Sequence, residues 1–143
     1  MMFVDTNVLV YAAAPGAPLH PSARAALVRY GGAETLCLSR QVLREFVAVL
    51  TRPQVWAQAR TPAAAADAAL VLEQRFDVLE DGPLVWERLV ELCRGFAFGG
   101  RQVHDANIVA TMRAHGETRL LTFNTGDYRR FVGLIGLAAP PGA

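Results

Sequence analysis

The order of apolar and polar positions along the chain predicts alternating short strands and helices. Phe3-Val4, with the methionines before them, form an apolar run that stops abruptly at Asp5-Thr6-Asn7, which reads as a short buried strand. Val8 to Tyr11 then predicts a helical turn or two, broken by Pro15, Gly16 and Pro18. Residues 21–30 read as a helix closed by Gly31-Gly32. Residues 35–38 form a second strand. Ser39 is placed to cap a helix over 40–50, whose apolar face is Val42, Leu43, Phe46, Val47 and Leu50. Thr61-Pro62 supplies a cap followed by proline at the first helical position, opening a helix that runs to about Phe76. Val78-Leu79 is a third strand. Pro83 opens a helix with Trp86, Leu89, Val90 and Cys93 at helical spacing. Residues 95–100 read as a loop and 104–115 as a helix closed by Gly116, with a fourth strand at 120–122. A fifth strand is expected within 131–138, ahead of a disordered-looking Pro140-Pro141-Gly142-Ala143. Such an alternation indicates an α/β domain with a mainly parallel central sheet of about five strands.

In sheets of this kind, sites form outside the carboxyl ends of the strands. Polar residues fall at those positions. Asp5 follows the first strand, and Ser39 follows the second with Glu45 about two turns further on. Asn124 and Asp127 follow the fourth. Asp105 opens the stripe Asp105, Ile108, Val109, Met112 at i, i+3, i+4, i+7, which puts its carboxylate at the head of a buried face. Each of these acids has two readings at this point. Asp5 and Asp105 suit helix caps or first-turn positions, where the dipole favours an acid. Asp127 suits a turn or a cap. Glu45 lies beside Val42 and Val49 at the border of an apolar face, where capping offers no account of it. Carboxylates near a core are costly unless paired or metal-bound, so the alternative is that the four acids share one site. The remaining nine acids lie on solvated helix faces or near turns.

Composition narrows the chemistry. The chain has 143 residues, enough for a single domain spanning 1–143, and 52% are hydrophobic. The 14 basic and 13 acidic residues nearly balance, so no strong overall field draws a polyanion. Every basic residue is arginine, which excludes a lysine Schiff base, a phosphate-loop lysine or a lysine base. Cys37 and Cys93 sit in apolar contexts and read as small buried hydrophobes, with no zinc or disulfide framework. No apolar run approaches the length of a membrane span, and no signal-like segment opens the chain, so a cytoplasmic protein is expected.

Four segments together carry a family likeness. These are Phe3-Val4-Asp5-Thr6-Asn7-Val8-Leu9, Ser39-Arg40-Gln41-Val42-Leu43-Arg44-Glu45-Phe46, His104-Asp105-Ala106-Asn107-Ile108-Val109-Ala110, and Leu121-Thr122-Phe123-Asn124-Thr125-Gly126-Asp127-Tyr128. In order, spacing and total length the chain resembles a PIN domain, and within that group a VapC-type toxin of a type II toxin–antitoxin pair. The resemblance implies a three-layer α/β/α fold and metal-dependent cleavage of RNA. It implies that Asp5, Glu45 and Asp105 bind Mg²⁺ or Mn²⁺, one or two ions, with Asp127 as the fourth acid; Asn124 occupies a competing position. Thr6, Asn7, Ser39 and Asn124 correspond to the supporting polar shell. It also implies a homodimer and a cognate antitoxin that covers hydrophobic surface.

The chemistry fits that likeness. Hard divalent cations take oxygen ligands, and clustered carboxylates repel one another without a cation. Arg40, Arg44, Arg101, Arg129 and Arg130 lie nearest the motifs and are the candidate contacts to RNA phosphates, with His104 as a further candidate; a solvated surface role competes for each. Apolar surface for partners is expected in 55–72 and at Phe96 and Phe98. Two rivals remain at this stage. A haloacid-dehalogenase-type phosphatase is disfavoured because position 7 is Asn and lysine is absent. A catalytically silent PIN-like module that binds RNA or protein is the non-enzyme alternative.

Overall fold

The computed structural model describes residues 1–142. Five parallel strands form one sheet in the order β3-β2-β1-β4-β5. They are β1 (Met2–Val4), β2 (Leu36–Ser39), β3 (Asp77–Leu79), β4 (Arg119–Leu121) and β5 (Gly136–Ala138). Between them run α1 (Thr6–Ala13), α2 (His20–Gly31), α3 (Arg40–Leu50), α4 (Pro62–Arg75), α5 (Pro83–Gly95), α6 (Gln102–Ala114) and the short α7 (Thr125–Tyr128), which leads into a 3₁₀ turn at Arg129–Phe131. Helices α1 to α4 pack among themselves, as do α5 to α7. Right-handed crossovers place these two sets on opposite faces of the sheet, giving three layers.

The sheet explains the strand composition. Met2, Phe3 and Val4 are all fully buried, because a central parallel strand is covered on both faces. Phe46 from α3, Ile108 and Met112 from α6, and Tyr128 and Phe131 near the end of the chain complete the core. The element ends follow from local chemistry. Ser39 caps α3 by accepting from the Val42 amide at 3.4 Å, and Thr61 caps α4 from Ala64. Gly116 closes the turn after α6 at φ +75°, a conformation other residues rarely adopt.

Three expectations need correction. The strand sought in 131–138 is confined to Gly136–Ala138, because Phe131 belongs to the 3₁₀ turn and is buried. Pro140 is buried and the Pro141 carbonyl accepts from Ser22 of α2, so these two prolines are held in place, while Ala143 lies outside the described residues. Cys37 is buried, but Cys93 is exposed: its helix turns that position away from the α5–α6 contact. Among the described residues no helix is long and apolar enough to cross a membrane.

Candidate active site

The strand order reverses direction at β1: the chain steps outward to β2 and β3 on one side, then to β4 and β5 on the other. A crevice opens where two neighbouring strands send their following helices to opposite faces, here at the carboxyl ends of β1 and β4. The Asp5 amide donates to the Leu121 carbonyl at 3.0 Å, closing β1 onto β4. The Asp5 side chain then caps α1, accepting from the Thr6 amide at 2.8 Å. Asp5 is thus a cap, as one reading had it, and it also faces a cleft of about 640 Å³.

That cleft receives Glu45 from α3 and Asp105 from α6 as well. Three carboxylates far apart in sequence therefore share one cavity. Glu45 is held at both oxygens: Thr6 Oγ1 donates at 2.9 Å to one and Gln41 Nε2 at 2.9 Å to the other. Asp5 accepts from Thr122 Oγ1 at 2.8 Å and Asn7 Nδ2 at 3.1 Å on the oxygen that does not cap the helix. Asp105 accepts a long bond from the Tyr128 hydroxyl at 3.4 Å.

Every one of these hydrogen-bond partners is neutral, and none of the three acids enters an ion pair among the described residues. Asp5 is only 6% exposed. Burial pushes its carboxyl up to about 6; the Thr122 and Thr6 hydrogen bonds oppose the rise, and the charges of Asp105 and Glu45 add to it. Asp105 is raised as well, first by burial and then by the charges of Asp127 and Glu45. Tyr128, buried against Asp5 and Asp105, is held firmly protonated by burial and by those charges. Asp127 itself is exposed on α7 and is not among the residues lining the cleft, while Asn124 is.

The supporting polar residues separate into two groups. Thr6 and Asn7 touch the acids, and the Asn124 amide donates to Thr122 Oγ1 at 3.0 Å. Ser39, 2% exposed, serves as the α3 cap and does not line the cleft. The five arginines chosen for proximity in sequence lie elsewhere. Arg40 pairs with Glu73 and, at 2.7 Å, with Glu80, and Arg130 donates to the Ala97 carbonyl at 2.9 Å. Arg44, Arg101 and Arg129 are exposed and are not cleft walls. The arginine that does line the cleft is Arg52, with His104 beside Asp105.

Sequence reasoning also missed Gln41, which is nearly buried and donates to Glu45 and to the His104 carbonyl while accepting from Asn107. A polar residue one turn before Glu45 on the buried edge of α3 was the available signal.

The donor chemistry suits a hard divalent cation, since the cleft offers carboxylate, hydroxyl and amide oxygens and no thiolate. Among the described residues, no three His, Cys, Asp or Glu side chains lie close enough together to form a ready-made cage. Mg²⁺ keeps several waters and takes only one or two carboxylates, so it does not require such a cage.

A parallel sheet with a switch-point cleft that gathers acids from the end of β1, from α3 and from α6 defines an α/β protein of the carboxylate-site type. The chain belongs to the PIN domain family, which matches residues 2–133. It is similar to ribonuclease VapC24 of Mycobacterium tuberculosis, 29% identical over 133 residues, covering 92% of this chain and 91% of that protein. Solved structures share its fold. The VapBC2 complex of Rickettsia felis bound to a promoter DNA fragment aligns with a TM-score of 0.71 at 18% identity, over 98% of this chain and 99% of that one. VapC20 of M. tuberculosis, a toxin that cleaves the sarcin–ricin loop, aligns with a TM-score of 0.68 at 21% identity, over 90% and 94% of the two chains.

Proposed function

We propose that the protein is a metal-dependent endoribonuclease that hydrolyses RNA phosphodiesters, and that it is the toxin of a toxin–antitoxin pair acting in the cytoplasm. The observation that carries this reading is the convergence of Asp5, Glu45 and Asp105 on one cleft, none of them in an ion pair among the described residues. Asp5, Glu45 and Asp105 would hold Mg²⁺ or Mn²⁺, with Asp127 as an outer acid that acts on Asp105 through its charge. A divalent ion bound there supplies charge neutralisation, a grip on phosphate oxygens and a more acidic water. Thr6 and Gln41 orient Glu45, while Asn7 and Thr122 orient Asp5. No cysteine or lysine lines the cleft, which leaves water as the attacking group. The likeness to VapC24 and to VapBC complexes supports RNA as substrate and an antitoxin as partner.

The test is cleavage of RNA with Mg²⁺ or Mn²⁺, and its loss in Asp5→Asn and Asp105→Asn. Activity surviving in both folded variants would end the reading. One observation favours a second reading, a PIN-like module that binds without cutting: the absence of a three-residue cage among the described residues. A Mn²⁺ titration separates the two, since a silent module takes up no metal at millimolar concentration. A homodimer is part of the proposal, and a monomeric mass by light scattering would remove it.

A further inference from the structure

One part of the cleft lining carries no acid. It is formed by Tyr11, Trp56, Arg52 and Gln54. Tyr11 meets Trp56 edge-on, with ring centroids 5.7 Å apart, and meets Phe123 in the same way at 5.4 Å. The Phe123 amide donates at 3.0 Å to Asn7 Oδ1, and Asn7 Nδ2 is the group that holds Asp5. A single side chain therefore ties the aromatic set to the acidic end of the cleft.

Trp56 lies in the segment 51–61 between α3 and α4, which has no helix or strand beyond one bridge from Gln54 to Ala57. Such a segment would ordinarily be mobile, yet this one is fastened at several points. Gln54 and Ala57 exchange backbone bonds, and the Arg60 amide donates to the Leu50 carbonyl at 2.8 Å. The Arg60 guanidinium donates to the Ala13 carbonyl at the end of α1. Gly16 packs so close to the Trp56 carbonyl that a Cβ there would stand 2.6 Å from its oxygen. The indole is thus presented in a fixed place, half-buried, and it lines the cleft beside Tyr11. Arg52, exposed beside it, enters no ion pair among the described residues, although Arg40 and Arg119 do.

An aromatic face next to an unpaired guanidinium suits one nucleotide of a single strand. Every base has a face to stack, and its phosphate needs a cation. We propose that Trp56 and Arg52 form a nucleotide subsite that takes an unpaired RNA base on Trp56 and its phosphate at Arg52, beside the bond to be cut. This rests on the RNA-hydrolysing reading above. A base already stacked within a duplex cannot reach Trp56, so the subsite selects single-stranded RNA.

The test uses the protein with Asp105→Asn to prevent cleavage and Trp86→Phe to leave Trp56 as the sole tryptophan. A short single-stranded oligoribonucleotide should quench the Trp56 emission, while the same strand annealed to its complement should not. In the cleaving protein, Trp56→Ala should raise KM about tenfold and Trp56→Phe much less, since a phenyl ring still stacks. Arg52→Ala should lower the slope of log Kd against log salt by about 0.7, and Arg52→Lys should keep it. Unchanged melting temperatures in these variants would show that the effects are not loss of fold. Binding by fluorescence anisotropy without quenching, or equal quenching by duplex, overturns the subsite while leaving the hydrolase reading intact. Wild-type protein that neither binds nor cuts RNA overturns both.

Discussion

Replacing Asp5 by asparagine removes a charge that the metal-free fold holds at a cost, and the pH dependence of that cost is measurable. Asp5 is nearly buried, its partners are neutral, and its carboxyl is raised from 3.8 to about 6. A shift of roughly two units corresponds to about 3 kcal/mol at 1.36 kcal/mol per unit. The sign follows from the direction. Below 3.8 the group is protonated in both folded and unfolded chains and contributes nothing. Above about 6 it is ionised in both, and the folded chain bears the full penalty, so stability from this group falls as pH rises through that window. Asparagine carries no such penalty at any pH. It has one acceptor oxygen where the carboxylate accepts from Thr6, Thr122 and Asn7, so the variant also loses hydrogen bonding, a pH-independent cost of about 1–3 kcal/mol.

The two contributions separate in one experiment. Urea unfolding of both proteins in EDTA, from about pH 4 to about pH 8, gives stability curves whose constant offset reports the hydrogen bonds and whose divergence reports the charge. The variant should gain about 2–2.5 kcal/mol on the wild type across that range, the remainder of the penalty already being present at about pH 4. Curves that run parallel would refute the claim that Asp5 is held ionised against its environment. Mn²⁺ at neutral pH should stabilise the wild type far more than the variant, because the cation relieves the penalty that asparagine lacks. Asp5→Asn is then inactive yet comparatively robust without metal, the signature of a residue kept for function at the expense of stability.

Three further outcomes are expected. Tyr128→Phe removes the hydroxyl on Asp105; the bond is long at 3.4 Å, so folding should lose only about 1 kcal/mol, while Mn²⁺ affinity by titration should fall about tenfold. Gln41→Leu leaves Glu45, Asn107 and the His104 carbonyl each short of a partner and should cost about 1–3 kcal/mol in urea unfolding, whereas a surface glutamine would cost almost nothing. Gly16→Ala drives a methyl into the Trp56 carbonyl and should raise KM for single-stranded RNA while leaving Mn²⁺ affinity unchanged; a lowered metal affinity would mean that the loop supports the acids after all.

Most of the architecture was legible because parallel strands and capped helices leave strong local marks. The run at Met2–Val4, the Ser39 and Thr61 caps and the Gly116 stop each follow from backbone chemistry that a sequence displays directly. The element boundaries failed where tertiary packing overrode that chemistry, as at Phe131, whose side chain is drawn into the core by Phe96 and Phe98. Those two phenylalanines were expected to offer partner surface, and they are half-buried for the same reason; Val55 and Leu70, from the other expected patch, are exposed.

The acids were legible for a different reason from their neighbours. A carboxylate at a strand end or on an apolar helix edge contradicts its surroundings, and that contradiction is local. What fixes the acids is long-range. Thr122 reaches Asp5 across 117 residues, Thr6 reaches Glu45 across 39, and Asn107 reaches Gln41 across 66. Each is an ordinary polar residue in its own segment and joins the network that supports the acids only when β1, β4, α3 and α6 meet. The arginines show the converse. Arg40 sits next to a motif in sequence, yet Glu73 and Glu80 claim it. Arg52 stands apart from every motif, and the pinned segment after α3 brings it into the cleft. The local sequence therefore marks the acids that meet in the cleft, because a carboxylate at a strand end or on an apolar helix edge stands out, but not the arginine that lines it, because a loop places that residue and loops are positioned by contacts the local sequence does not record.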